Sequence, residues 1–534
     1  MNKVRKDLDE LVETWKAIPG VAVCIVSRDQ DPLFACSGYA SLEHGVLIDQ
    51  NTRFNLASIS KQFTAFAIRL IEKRGKLKLD DPIRQYLPEF SETYQSIQIQ
   101  HLLHHTGGLK DMFNLLSYSG FQWEDVHSNE QLIALIKRQS SLSFTPGDRY
   151  FYNNMGYILL AEIIQRITGM DLPSFMEKEC FLPLGMKDTS IPRGNNEVLP
   201  NVAEDYILGQ DGEFKRVNEN MLVIGSSNLF TTIYDFSRWL GNYVAPVYEP
   251  EAMMGMDLTQ SLNDGSVNLY ACGLLIMERD GRKIWTHSGF EGGFHTNMVF
   301  LPGSGLAVGV MSNNGSADMI ELGGKVLGLI LPKPNQNLIT RTSPQDLENE
   351  EMKEMKGCYQ LPDGLILKII IAEKSLLIRT PYSTDRLPLM KVGHRKYKIE
   401  SIGMEMEAVP DEVGQIIAFN CQSSMGPLYA VKLPPLELES AELAEYTGKY
   451  WNEELFNMWE LQVEEGHLTL FHPHFADVTL IPVLEDEFSS EIDRFEELAF
   501  HRSEDGRVNG LEFRGNRALY AHFKRVEKII YEEC

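Results

Sequence analysis

Cysteine is scarce in this sequence. The seven in 534 residues (24, 36, 180, 272, 358, 421 and 534) are scattered, with no C-x-x-C pair. An odd, dispersed set reads as free thiols in a reducing compartment, not as a disulfide framework. Long apolar runs are also missing. The longest, such as residues 365–372, falls far short of the roughly 20 residues that cross a bilayer, and the charged, amphipathic residues 1–19 carry no apolar secretory core. Positive charge is in deficit: 50 Lys+Arg stand against 75 Asp+Glu, a net −25. Phosphate backbones and anionic lipid surfaces are bound through clustered Lys and Arg, so neither a nucleic-acid nor a membrane partner is expected. There is no G-x-x-x-x-G-K and no strand-linked G-x-G-x-x-G. His101, His104, His105, His472 and His474 lack the Cys or carboxylate partners of a familiar ligand spacing and read as loop and cap residues. No metal and no cofactor is expected, and the chain reads as cytoplasmic.

What is present suffices for large cores. Apolar residues make up 43% and aromatics 10%, in a length that calls for two to four domains. Two β-branched runs, 21–26 and 34–39, flank Arg28-Asp29-Gln30-Asp31-Pro32, a hairpin pattern. Phe63, Phe66, Ala67, Leu70 and Ile71 then fall on one helical face, with Gly75 as the stop. Helical periodicity dominates from about 100 to 260, and Thr232 with Asp235 makes an N-terminal cap. Strand patterns return over 283–311, and an amphipathic helix over 318–329 follows. Strands at both ends with helices between them predict one α/β unit whose sheet joins the N- and C-terminal parts.

Residues 332–337, Pro-Lys-Pro-Asn-Gln-Asn, read as a linker. Beyond it short alternating strands take over, with a second break at Pro434-Pro435. Gly357-Cys358-Tyr359 matches Gly448-Lys449-Tyr450 at an offset of 91, as Leu377 matches Leu468 and Tyr397 matches Phe488. Two tandem antiparallel β-barrels are predicted, giving domains at 1–335, 336–438 and 439–534. The last holds 9 Lys+Arg and 22 Asp+Glu, more than half of the net charge. Its acidic run from Glu485 to Glu497 reads as a solvated face.

Three short patterns carry chemistry. Ser58-Ile59-Ser60-Lys61, at the start of the first strong helix, puts a hydroxyl and an amine three residues apart on one face. A serine is a poor nucleophile until a base takes its proton, and a buried lysine can be that base. The helix N-terminus also offers the Ser58 amide to an oxyanion. Chance alone would give on the order of two S-x-x-K matches in such a chain, and this is the only one. Tyr152-Asn153-Asn154 supplies a phenol that can shuttle a proton and an amide that can hold a carbonyl. His287-Ser288-Gly289 ends a strand, where the glycine would let a substrate backbone approach and the amide of Phe290 could be the second oxyanion donor. Tyr450-Trp451-Asn452 and His105-Thr106-Gly107 match the last two patterns by packing or accident.

In order and spacing the three resemble the penicillin-recognising serine hydrolases, specifically the class C-like branch with Tyr-x-Asn as second motif and, in its aminopeptidases and esterases, His-x-Gly as third. The resemblance covers about 15–332, and with two appended β-modules it is closest to the bacterial D-aminopeptidase group. It implies an α/β penicillin-binding-like domain followed by two barrels, Ser58 as nucleophile, Lys61 as base, Tyr152 as proton shuttle, Asn154 as binding amide and His287 with Gly289 as third motif. In that group a loop of the last barrel reaches the active site. The corresponding loop here is Phe471–Asp477, with Asp477 as a carboxylate for a substrate ammonium. The activity implied is acyl-enzyme hydrolysis of small peptides or amides by a D-aminopeptidase-like exopeptidase. The alternatives are a carboxylesterase or amidase, weak β-lactamase or penicillin binding, or a non-catalytic protein holding a peptide or peptidoglycan fragment. An assembly of two copies is a further expectation.

Overall fold

The computed structural model describes residues 2–331 and 349–526, apart from 123, 210, 218–219, 280, 363–365, 373–374, 380–386, 400–403, 424–425, 491, 493–494, 496 and 516–517. The linker read at 332–337 lies outside the described residues. The chain forms two compact units: Met1–Met112 with Phe121–Lys333, and Phe113–Gly120 with Pro334–Cys534.

The first unit is built on a six-stranded antiparallel sheet in the order Gln30–Ser37, Val21–Ser27, Leu306–Ser312, Phe294–Leu301, Arg282–Glu291, Leu275–Arg279. The first and last strands of the sequence pattern meet at its centre, Val21 opposite Ser312 and Ser27 opposite Leu306. This is the joining of N- and C-terminal parts that their β-branched runs predict. Those runs are apolar at nearly every position because both faces are covered. On one face, Leu8 and Val12 of the helix Asn2–Val12 and Met319, Leu322 and Val326 of the helix Met319–Ile330 pack on Val21, Val23, Val308 and Val310. The helix Ile233–Val244 packs against the same two central strands, its start fixed by Thr232 Oγ1 accepting the Asp235 N–H at 3.1 Å.

In the second unit the first β-module is a nine-stranded antiparallel sheet running from Leu387–Pro388 at one edge to Met390–Gly393 at the other. Its edge strands are consecutive in the chain, so the sheet curls on itself around Tyr359, Ile369, Ile378, Tyr397 and Phe419. The second module is a closed eight-stranded barrel, Gly448–Asn452 pairing with Ala518–Val526. The repeat read from the sequence has a physical counterpart: Tyr359 donates its hydroxyl to the Met355 carbonyl and Tyr450 to the Tyr446 carbonyl, each four residues upstream at 2.7 Å. Tyr397 and Phe488 are both buried. At Leu377 the offset fails, because Leu376 and Ile378 take the inward positions. The acidic run is also not uniformly solvated. Asp486 binds Arg502, Glu487 binds Arg514, and burial pushes the Glu497 carboxyl up.

Barrel and helix meet in a way no pattern announced. Tyr118, at the end of the helix Met112–Tyr118, is wholly buried and stacks on Phe513 at 4.7 Å, beside Phe495. Its carbonyl accepts from Trp459 Nε1 at 3.0 Å and Asn457 Nδ2 at 2.8 Å. The loop Phe471–Asp477 folds over the same segment: His474 Nδ1 donates to the Gly120 carbonyl at 2.9 Å, and His472 shares a 3.1 Å hydrogen bond with Asn457 Oδ1. Tyr118→Ala keeps the carbonyl contacts and loses the ring with its hydroxyl, which accepts from Asn114 Nδ2 at 3.4 Å. It should lower stability by about 3–5 kcal/mol, read as a fall in urea midpoint by Trp fluorescence, and Tyr118→Phe should recover most of it.

Candidate active site

The chain enters the site through the strand Arg53–Asn55 and a 3₁₀ turn, Ala57–Ile59, that runs directly into the helix Ser60–Lys73. Ser58 sits in the middle of that turn. Ala57 before it is held at φ +48°, a left-handed conformation that costs an alanine energy. Its neighbours enforce it. Ala57 N–H donates to Asn55 Oδ1 at 2.9 Å, Leu56 N–H to the Leu229 carbonyl at 2.8 Å, and Thr296 Oγ1 donates to the Leu56 carbonyl at 2.9 Å.

Lys61 is wholly buried one turn on. Its Nζ lies 3.0 Å from Ser58 Oγ and 2.9 Å from the Ser226 carbonyl, and sits 5.0 Å from the Tyr152 ring centroid. Thr64 Oγ1 donates to the Gly225 carbonyl at 2.7 Å, so the loop 225–226 grips the same helical face twice. The second motif is set by its own cap: Asn153 Oδ1 accepts the Gly156 N–H and Asn153 Nδ2 donates to the Leu109 carbonyl, while the Asn154 N–H donates to Asp111 Oδ2 at 2.9 Å. Asn153 is therefore structural, and Asn154 opens the helix Asn154–Thr168.

His287 lies on the strand Arg282–Glu291, its ring centroid 6.3 Å from that of Tyr152. Nδ1 is 2.6 Å from the Ser288 carbonyl and Nε2 is 2.8 Å from the Tyr270 hydroxyl. A carbonyl can only accept, so Nδ1 carries the proton and Nε2 accepts from Tyr270. Burial, reinforced by the Lys61 charge, pushes the His287 pKa down to about 3. Where the related motif has a lysine, this site has a neutral imidazole.

Gly289 serves packing. A Cβ there would lie 2.3 Å from the Leu56 carbonyl oxygen, 2.4 Å from Thr296 Oγ1 and 3.0 Å from Ala57 Cβ. The missing side chain lets the strand close on the turn that carries Ser58. Phe290 follows with its ring exposed. Ser58, Lys61, Tyr152, Asn154, His287, Gly289 and Phe290 all belong to the first unit. Asp477 is exposed in the second, just before the barrel strand Val478–Leu484.

Three contributors lie outside the three short patterns that carry the chemistry. Tyr270 orients His287, the Ser226 carbonyl holds Lys61, and the His105 ring lies 4.3 Å from Tyr152 and 4.4 Å from Tyr270. The His105-Thr106-Gly107 match, set aside as a decoy, thus abuts the site by way of its histidine. His101 is a cap, its Nδ1 accepting the Gln98 N–H at 3.1 Å.

The Beta-lactamase family model matches residues 8–324, a span that contains every one of these residues except Asp477. The chain belongs to the Beta-lactamase family. Among its relatives, penicillin-binding protein 4* of Bacillus subtilis is 28% identical over 285 residues, 49% of this chain and 61% of that protein. D-aminopeptidase of Gluconobacter oxydans is 25% identical over 473 residues, 87% of this chain and 88% of that one. The structure of the octameric penicillin-binding protein homologue from Pyrococcus abyssi shares the fold at a TM-score of 0.57 and 21% identity, over 80% of this chain and 99% of that one. The chain thus spans less than two thirds of the first relative and most of the second. Among the described residues, no helix of this Beta-lactamase family member is long and apolar enough to cross a membrane.

Buried histidines make the unit acid-sensitive, His104 and His287 among them. His104, pushed down to about 4 by burial, and His287, at about 3, stay neutral when folded and take up protons near pH 6.5 when unfolded. Between those limits the unfolded state binds more protons, so stability rises with pH and is lost as pH falls below about 6.5. Each contributes a slope of up to about 1.4 kcal/mol per pH unit. Urea midpoints from pH 7 to 5 should fall, and less steeply in His104→Gln.

Proposed function

We propose that the chain is a metal-independent serine acyl hydrolase that cleaves amide or peptide bonds through an acyl-enzyme, in the manner of a D-aminopeptidase that releases N-terminal residues. One contact supports this above all: the 3.0 Å approach of a wholly buried Lys61 amine to Ser58 Oγ. With the amine neutral, the same contact runs from Ser58 O–H to Nζ. Ser58 Oγ attacks the carbonyl as Lys61 takes its proton, and the amides of Ser58 and Phe290 hold the oxyanion. Tyr152 protonates the leaving amine, drawing on Lys61 through the ring-to-amine proximity at 5.0 Å. Water then releases the acyl group with Lys61 or Tyr152 as base. Asn154 binds the substrate carbonyl, and His287 and Gly289 form the opposite wall.

The neutral His287 favours this reading over β-lactam hydrolysis, since no fixed cation stands in the third motif to attract a β-lactam carboxylate. The free cysteines among the described residues, Cys24, Cys36, Cys180, Cys272, Cys358 and Cys421, suit a cytoplasmic setting, and we propose a homodimer as the working assembly. The substrate reading is tested with D- and L-aminoacyl p-nitroanilides against p-nitrophenyl esters. Turnover of free-amine D-anilides, lost when the amine is acetylated, is the expected result. Turnover of esters alone would make the chain a carboxylesterase, and turnover of nothing a binding protein.

A further inference from the structure

The outer wall of the closed barrel carries a cluster that the proposed reaction does not use. His501 on the strand Glu497–Arg502, Glu512 on Val508–Gly515 and His522 on Ala518–Val526 lie on three neighbouring strands, with one ligand atom from each within 4.8 Å of the others. Glu512 and His522 are direct cross-strand partners. His501 is opposite Gly510, which presents no side chain, so its ring leans diagonally across to Glu512. Leu511 and Phe513 on either side of Glu512 point into the barrel core, which alternation requires if Glu512 is to face out.

The geometry points to a divalent metal site of the two-histidine, one-carboxylate type, with Zn²⁺ as the fitting ion. His501 Nε2 is 3.3 Å and His522 Nδ1 is 3.1 Å from the same oxygen, Glu512 Oε2. Metal–ligand bonds of about 2.0–2.1 Å in a tetrahedron place ligand atoms about 3.3–3.4 Å apart, so the 3.3 Å distance matches an edge of a zinc polyhedron and the 3.1 Å distance needs only a small opening to do so. The carboxylate is oriented from behind: Arg514 Nε donates to Glu512 Oε1 at 2.8 Å and is itself neutralised by Glu487 at 2.8 Å. This leaves Oε2 to the histidines, the outer-shell support that metal-binding carboxylates require. The Glu512 side chain is 4% exposed, while those of His501 and His522 are 45% and 56% exposed. The ion therefore has an entry path and a fourth position open to water. On binding, each imidazole presents the lone pair of the nitrogen facing Oε2 and carries its proton on the other nitrogen. The surrounding module, with 22 acidic against 9 basic residues, attracts cations.

The test uses the full-length chain without a polyhistidine tag, stripped with chelator and titrated with Zn²⁺ by calorimetry. One Zn²⁺ per chain is expected, with affinity lowered at least tenfold in each of His501→Ala, His522→Ala and Glu512→Gln. The histidine variants change exposed side chains and keep the metal-free melting temperature. Zn²⁺ should raise that temperature in the wild type and leave it unmoved in the variants. Bound Co²⁺ should give the intense visible absorption of a tetrahedral site only in the wild type. No Zn²⁺ binding by the wild type, or one Zn²⁺ bound with undiminished affinity by all three variants, overturns the assignment.

Discussion

Ser58→Ala should abolish covalent labelling by a fluorophosphonate or a slow β-lactam, seen as loss of the adduct in intact-mass analysis, and should lower kcat by about 10⁴-fold or more. The geometry of the turn singles out this serine. Asn55, Leu229 and Thr296 hold Ala57 left-handed in the turn that carries Ser58, and Ser58 Oγ lies 3.0 Å from the Lys61 amine. Ser60 is next door, but its Oγ accepts the Leu229 N–H at 3.3 Å and faces into the core. An adduct of equal size on Ser58→Ala would therefore place the nucleophile elsewhere. Lys61→Ala should cost nearly as much as Ser58→Ala, and the double variant no more than either, because a nucleophile and its base fail as a unit. A double variant whose loss is the product of the single losses would mean that Lys61 acts by holding the Ser226 carbonyl, not by moving a proton.

How much of this was readable from residues alone follows from what each contact leaves in the sequence. Ser58 and Lys61 are neighbours on one helical turn, so a local spacing encodes them. The central strand pairing of Val21–Ser27 with Leu306–Ser312 was readable too, because two doubly covered strands must both be apolar throughout. The Ser226 carbonyl that binds Lys61 lies 165 residues away and is backbone, which any side chain would supply. Tyr270 reaches His287 from a segment without a regular pattern, and nothing in its surroundings marks it. Tyr118 looks like one more apolar residue of a helical region, and its partners Trp459 and Phe513 look like barrel core. Only the folded chain unites them. The His501, Glu512 and His522 cluster escaped for a related reason: cross-strand neighbours fall at separations set by turn length, not at the short intervals by which metal motifs are recognised.

Gly289→Ala should lower kcat by about 10²-fold while leaving the barrel's unfolding unchanged. The residue lies in an ordinary extended strand, so an alanine meets no backbone strain of its own. What it meets is a carbonyl oxygen at 2.3 Å, Leu56, and the Thr296 hydroxyl at 2.4 Å. These are the two atoms whose 2.9 Å hydrogen bond fixes the turn before Ser58. A flexible side-chain tip could swing aside, but the Leu56 carbonyl can move only with the turn itself. Overpacking of this kind costs about 1–3 kcal/mol, and the relief it forces displaces Ser58 from Lys61 and from the amide of Phe290 together. Misplacement of a reacting group by about 1 Å is enough for a 10²-fold loss. Measured kcat and KM separate this from an effect on substrate access. If Gly289 served to admit a substrate backbone, the alanine would raise KM and leave the single-turnover acylation rate of a small ester intact. If it serves to seat the nucleophile, acylation slows for every substrate, small esters included. Thr296→Ala in the same background removes one of the two clashing atoms and should recover part of the rate, whereas Thr296→Ala alone should slow the enzyme by freeing the Leu56 carbonyl. No recovery in the double variant would leave the clash with the Leu56 oxygen as the whole cause, and a normal rate in Gly289→Ala would mean that the turn carrying Ser58 yields without cost.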